Sequence, residues 1–141
     1  MNDQNYIIKI QSENFNIEKE LADLQKQSSG AVVSFIGFVR DFNEETSLRA
    51  IYLDCYTDMA YKQIEDIIKE AISLYKLNGV SVIHRIGRID ANEQIVLVLV
   101  ASTHRKEAFE GCSYIMDYLK IKAPFFKKEI DIEEKGVWLK V

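Results

Sequence analysis

The chain has 141 residues, with 18 Lys and Arg against 22 Asp and Glu, a formal net charge of −4. With 48% hydrophobic and 28% charged residues it has the balance of a folded soluble protein, and its length suits a single domain over 1–141. The acidic balance excludes a general nucleic-acid coat, and no apolar run is long enough to span a bilayer.

Tyr6 to Ile10 is expected to form a first strand. Ile17, Leu21 and Leu24 recur at helical spacing behind Asn16, a capping residue, with Ser28-Ser29-Gly30 as the stop. Ala31 to Arg40 is apolar on both alternating faces, the pattern of a central strand buried on both sides. Asp41 to Ser47 is polar and is expected to be a mobile loop. Ile51, Leu53 and Cys55 alternate with Tyr52, Asp54 and Tyr56 at the strand period.

A long helix is expected over 58–75, with Ile64, Ile67, Ile68, Ala71 and Ile72 as its apolar stripe and Asn78-Gly79 as its stop. Val80 to Ile86 and Ile95 to Ala101 read as strands. A second long helix over 103–122, capped by Thr103, turns Ala108, Cys112, Ile115 and Leu119 inward and stops at Pro124. Phe125 to Ile132 and Val137 to Val141 form a closing hairpin around Glu133 to Gly136. Helices interleaved with strands and short turns give an α+β domain with a mixed sheet, two long helices and a C-terminal hairpin. The polar start, Met1 to Asn5, lacks the pattern of a signal peptide, and Cys55 and Cys112 form no CxxC pair. A cytoplasmic chain with two buried free thiols is therefore expected.

Charge is unevenly placed. His104 to Lys128 holds six bases (Arg105, Lys106, Lys120, Lys122, Lys127, Lys128) against three acids (Glu107, Glu110, Asp117). Such an island attracts small anions, or it is a solvated lysine-rich helix end. His104 and Arg105 in a helix's opening turn, beside unpaired N–H groups, make a phosphate cradle, unless Arg105 merely points to solvent beside Glu107. Alternation puts Phe126, Ile130 and Ile132 on the core face of the last hairpin and Phe125, Lys127, Glu129 and Asp131 on the other. Lys127 then reaches open space or a pocket, while Lys128 emerges from the apolar side. Lys120 closes the second long helix and either pairs with Asp117 or faces Lys127. Facing amines would repel, which favours a neutral, nucleophilic form of one of them, whereas the helix C-terminal dipole favours the cation, and the sequence does not decide between the two. Arg40, at a strand end before a loop, either clamps an anion or pairs with Asp41. His84, on an apolar strand, reads as structural. There is no P-loop, no GxGxxG and no GxSxG.

Four segments carry a resemblance. Gly30 to Arg40, Ile83-His84-Arg85-Ile86-Gly87, Ser102-Thr103-His104-Arg105 and Met116 to Glu129 are similar, in order and spacing, to the signatures of the large, catalytic subunits of molybdopterin synthase. The resemblance implies an α/β hammerhead-type fold and a homodimer of large subunits within a heterotetramer. Each large subunit binds a small ubiquitin-like subunit whose C-terminal Gly-Gly carries a thiocarboxylate. Sulfur passes to cyclic pyranopterin monophosphate in two transfers that build a dithiolene. By position, Lys120 and Lys127 match the catalytic lysines. Phe38, Val39, Arg40, His104, Arg105, Lys128 and Glu129 match the substrate-binding set, with Phe38 and Val39 acting through their backbone. Phe35, Met116 and Pro124 match the pocket for the partner's tail. No metal or organic cofactor is implied, because the sulfur arrives on the partner. Relatives can carry lysine where Phe38 stands, and usually continue past Trp138 with a polar tail; here either Lys140 substitutes for it or that contribution is missing. The competing possibilities are a non-catalytic α+β module that binds a small anion or nucleotide, and an inactive scaffold for a ubiquitin-like protein.

Overall fold

The computed structural model describes residues 5–25, 29–43, 46–122 and 124–139. In chain order the elements are β1 (Tyr6–Gln11), α1 (Ile17–Gln25), β2 (Ala31–Phe38), β3 (Leu48–Cys55), α2 (Thr57–Tyr75), β4 (Gly79–Arg85), β5 (Gly87–Asp90), β6 (Gln94–Ser102), α3 (Arg105–Ile121), β7 (Phe125–Asp131) and β8 (Gly136–Leu139). They build two four-stranded sheets, ordered β1-β4-β6-β2 and β5-β3-β7-β8. The first is mixed, since β1 runs parallel to β4 while the β4–β6 and β2–β6 pairs are antiparallel. The α+β expectation holds, with the strands divided between two sheets.

Alternation on β4 and β6 explains the layers. Val80, Val82, Val96, Val98 and Val100 face α2 and α3, and join Ile64, Ile68, Cys112 and Ile115 in one core. Ile83, Leu97, Leu99 and Ala101 face the other way, onto Phe15 and Leu24 under α1. The first core also takes in Ile51, Leu53, Ile89 and Phe125, so the second sheet packs on the same apolar mass. Asn16 caps α1 as expected, its Oδ1 accepting from the Lys19 amide at 3.0 Å. Glu20, buried in α1, is satisfied by Lys9 Nζ at 2.6 Å. No helix among the described residues is long and apolar enough to cross a membrane.

Several expectations change. The strand buried on both faces is β6; β2 is the edge of its sheet, and Phe35 and Phe38 are exposed. Its two apolar faces therefore signalled an edge rather than a centre. Helix α2 stops at Lys76, which takes the left-handed conformation (φ 54°) and returns its amide to the Ile72 carbonyl, while Gly79 already begins β4. The short strand β5 follows Gly87 (φ 81°), a conformation that suits glycine. Helix α3 begins at Arg105 with His104 extended at the cap position and making no side-chain cap bond. Thr103 instead accepts from Asn78 Nδ2 at 3.5 Å. The 41–48 segment closes on itself through a Phe42–Ser47 bridge and a Leu48 amide to Asp41 carbonyl bond of 2.8 Å. Ser28 of the expected helix stop, and Lys140 and Val141 at the end of the hairpin, lie outside the described residues.

Candidate functional site

The register of β2 shifts between Gly37 and Phe38. Beyond this bulge Phe38 points outward, Val39 is buried and Arg40 is exposed. The turn after β5 holds Val39 firmly, since its amide donates to the Glu93 carbonyl at 2.9 Å and its carbonyl accepts from the Asn92 amide at 2.6 Å. The Val39 N–H is therefore already engaged within the chain. The Glu93 turn is fixed in turn by buried Arg85, which donates to the Gln94 carbonyl at 2.8 Å and pairs with Glu93 at 3.4 Å.

Strand β7 pairs with β3, bringing Phe125 opposite Cys55, Lys127 opposite Leu53 and Glu129 opposite Ile51. Leu53 and Ile51 are core residues, so Phe125, Lys127 and Glu129 share the core-side face, while Phe126 is exposed. For Phe125 and Phe126 this inverts the face assignment read from alternation, because the two gave equal apolar signals on both sides; Ile130 is buried as expected. Lys127 still enters a pocket, from the core side. A cavity of about 70 Å³ is lined by Phe38, Val39, Arg40, Leu48, Ile51, Ile95, Lys127 and Glu129. Four chain segments thus converge, and five of the expected site residues meet there. None of the ion pairs among the described residues includes Arg40 or Lys127. Among the described residues two cations and one carboxylate line this small cavity, an arrangement that can hold a small anion.

The other expected residues lie elsewhere. Lys128 leaves β7 on the opposite face, with its ammonium 5.5 Å from the Tyr52 ring centre and 5.1 Å from that of Trp138. Tyr52 and Trp138 meet edge to face at 6.3 Å, and a cavity of about 360 Å³ opens beside them, lined by Asp54, Cys55, Tyr56, Phe126, Trp138 and Leu139. Lys120 is exposed on the last turn of α3 and does not line the Arg40–Lys127 cavity. Met116 packs on the core from α3, Pro124 is half-buried, and Phe35, opposite core residue Val98, stands on the α3 side of β2. His104 and Arg105 are exposed at the far end of α3, about 22 Å from Lys120 at the helical rise of 1.5 Å per residue. The basic island therefore splits into two groups, one at each end of a helix.

His84 is structural, as its setting on an apolar strand suggested. It stacks on Phe125 at 4.2 Å and lies 2.9 Å from the Arg85 carbonyl through Nδ1, and burial pushes its imidazole down to about 4. Burial likewise pushes the Cys112 thiol up to about 11 and raises that of Cys55. Sequence patterns missed the aromatic pair around Lys128 and the contribution of Asn43, whose Nδ2 donates to Glu129 Oε1 at 3.1 Å. Tyr52 gave a signal, alternating with buried Leu53; Asn43 gave none.

Together these features define an α+β domain of two packed sheets with a small pocket lined by Arg40, Lys127 and Glu129 at their junction. Residues 10–122 match the family model described as MoaE protein. The chain is 42% identical over 134 residues to the molybdopterin synthase catalytic subunit of Pseudomonas aeruginosa, covering 94% of this chain and 89% of that one. The molybdopterin biosynthesis MoaE protein of Burkholderia ambifaria superposes with a TM-score of 0.82 at 36% identity, covering 95% and 88% of the two chains. A chain from the Helicobacter pylori complex of subunits 1 and 2 of molybdopterin-converting factor shares the fold, with a TM-score of 0.79 at 21% identity and coverage of 94% and 90%. The chain belongs to the MoaE protein family.

Proposed function

We propose that this chain is the catalytic subunit of a cytoplasmic molybdopterin synthase, one large-subunit domain over 1–141. It moves sulfur from the C-terminal thiocarboxylate of a small ubiquitin-like subunit to cyclic pyranopterin monophosphate. The observation that carries this is the convergence of Arg40 and Lys127, neither in an ion pair among the described residues, on one cavity of a MoaE-family chain. Both reactants are anions. Arg40 can hold the cyclic phosphate through its planar fork, and Lys127 can hold or protonate an oxygen. The thiocarboxylate sulfur bonds to a carbon of the pterin side chain as an oxygen leaves that carbon with a proton; water then cleaves the acyl–sulfur bond, which leaves the sulfur on the pterin and a carboxylate on the small subunit, and a second such transfer completes the dithiolene. Lys127 in the cavity, and Lys120 from the end of α3 outside it, are assigned to orient the thiocarboxylate and protonate the leaving oxygen.

A cavity of about 70 Å³ holds a phosphate-sized group, whereas small-molecule sites usually enclose about 300–1,000 Å³. The rest of the substrate must be covered from outside. A small subunit whose tail runs past Phe35, Met116 and Pro124 supplies one wall, and the subunit 1–2 complex of the H. pylori fold relative supports such a partner. His104 and Arg105 are too far from Lys120 to join it within one chain. A homodimer, making a heterotetramer with two small subunits, lets a second copy present them. No observation favours the non-catalytic module over this assignment.

The test is single turnover with thiocarboxylated small subunit and pterin substrate. Lys127→Ala and Lys120→Ala are each expected to slow dithiolene formation at least about a hundredfold. Small-subunit affinity should stay within about threefold, since neither lysine is needed to form the wider protein contact. Unchanged turnover in both variants overturns the proposal.

A further inference from the structure

Asn43 lies three residues after Arg40, and Glu129 two residues after Lys127 on the same face of β7. The hydrogen bond from Asn43 Nδ2 to Glu129 Oε1, 3.1 Å, therefore clips together the two segments that carry the cavity's cations. The Asn43 end is itself anchored, because its Oδ1 accepts from the Thr46 amide at 2.8 Å and its own amide donates to the Thr46 carbonyl at 2.9 Å. Among the described residues Glu129 is the one carboxylate lining the cavity, and it makes no ion pair with Arg40 or Lys127. A carboxylate beside two cations would ordinarily neutralise one of them. Here its oxygen is engaged by a neutral amide.

We propose that Asn43 is a positioning residue for anion binding: by holding the Glu129 carboxylate it keeps Arg40 and Lys127 unneutralised and fixes their spacing for a phosphate. The substrate named here rests on the sulfurtransferase assignment; the clip itself does not. Without the amide donor, Glu129 turns onto Lys127 or Arg40, and the incoming phosphate must compete with an internal anion. The loss falls on substrate binding, so KM moves while kcat holds.

The test is a double-mutant comparison in the complex with the small subunit. Asn43→Ala is expected to raise the pterin KM about tenfold, with kcat changed less than about twofold, the worth of one displaced charge-assisted contact. In a Glu129→Gln background, with no carboxylate left to release, the same substitution should cost less than about twofold. Asn43→Asp keeps the acceptor for the Thr46 amide but loses the donor to Glu129, so it should raise KM at least as much as alanine. An equal cost of Asn43→Ala in both backgrounds, no cost in either, or wild-type behaviour of Asn43→Asp would each overturn the proposal. The same variants titrated with pyrophosphate by calorimetry, using the chain alone, need no turnover. The same coupling there supports the clip, and its absence overturns it. Coupled pyrophosphate binding by a wild type that converts no pterin would uphold the clip and refute the sulfurtransferase assignment.

Discussion

Gly37 offers the sharpest test of how the fold aims Arg40. A Cβ built on Gly37 would lie 2.7 Å from Val96 Cγ1, 3.3 Å from Phe35 Cε1 and 3.4 Å from Ile95 Cγ2. Carbon–carbon contacts settle near 3.5–4.0 Å, so Gly37→Ala demands about 1 Å of movement against Val96, whose branched side chain has little rotamer freedom. Overpacking of this kind costs about 1–3 kcal/mol. For a chain of this size roughly 3 °C is lost per kcal/mol, so the melting temperature should fall by about 3–10 °C. Edge strand β2 is the element free to yield, and it carries Phe38, Val39 and Arg40 just beyond the clash. Substrate KM should therefore rise along with the loss of stability. Val96→Ala removes the methyl at fault, so the double variant should melt above the sum of the two single losses by at least about 1 kcal/mol. Calorimetric melting of the four proteins decides it. A Gly37→Ala protein that melts within 1 °C of wild type with unchanged KM would refute the account of the bulge.

Two further outcomes are expected. His84 takes up a proton near pH 4 when folded and near its ordinary 6.5 when unfolded, so the unfolded state binds more protons between those values and stability falls as pH drops through that window. The loss, at most about 3 kcal/mol, should show in urea melts at pH 7, 6, 5 and 4.5 as a slope that His84→Gln lacks; parallel curves would refute it. Lys127 and Lys128 are neighbours on opposite faces, so Lys128→Ala should slow sulfur transfer less than about fivefold where Lys127→Ala slows it about a hundredfold, and equal losses would contradict the register of β7.

Local chemistry was legible in the sequence where one residue decides one structure. Asn16 caps α1 because its side chain supplies the acceptor that the Lys19 amide lacks. The stripe Ile64, Ile67, Ile68, Ala71 is buried because its spacing admits one face only. Choices made by tertiary packing were not legible. Phe125 and Phe126 are equal in hydrophobicity, and only pairing with Cys55 and Asp54 decides which enters the core. An apolar run such as β2 reports that both faces are covered or waiting to be covered, but not whether a strand stands on both sides. Of the site, Arg40, Lys127 and Glu129 were read from family signatures and converge. The separation of His104 and Arg105 from Lys120 follows from helix length, which becomes decisive only once α3 is seen unbroken. The Val39 amide could not be judged from its side chain, since its partner is the carbonyl of Glu93.

Arg85 gives the pocket a remote dependency. Its guanidinium sits in the interior and reaches the Ser12 and Gln94 carbonyls and Glu93, while the Glu93 carbonyl in turn holds the residue next to Arg40. Damage at position 85 would travel along main-chain links and surface as a defect in phosphate capture. In a genetic survey it would be grouped with lesions of Lys120 and Lys127, although it touches neither of them.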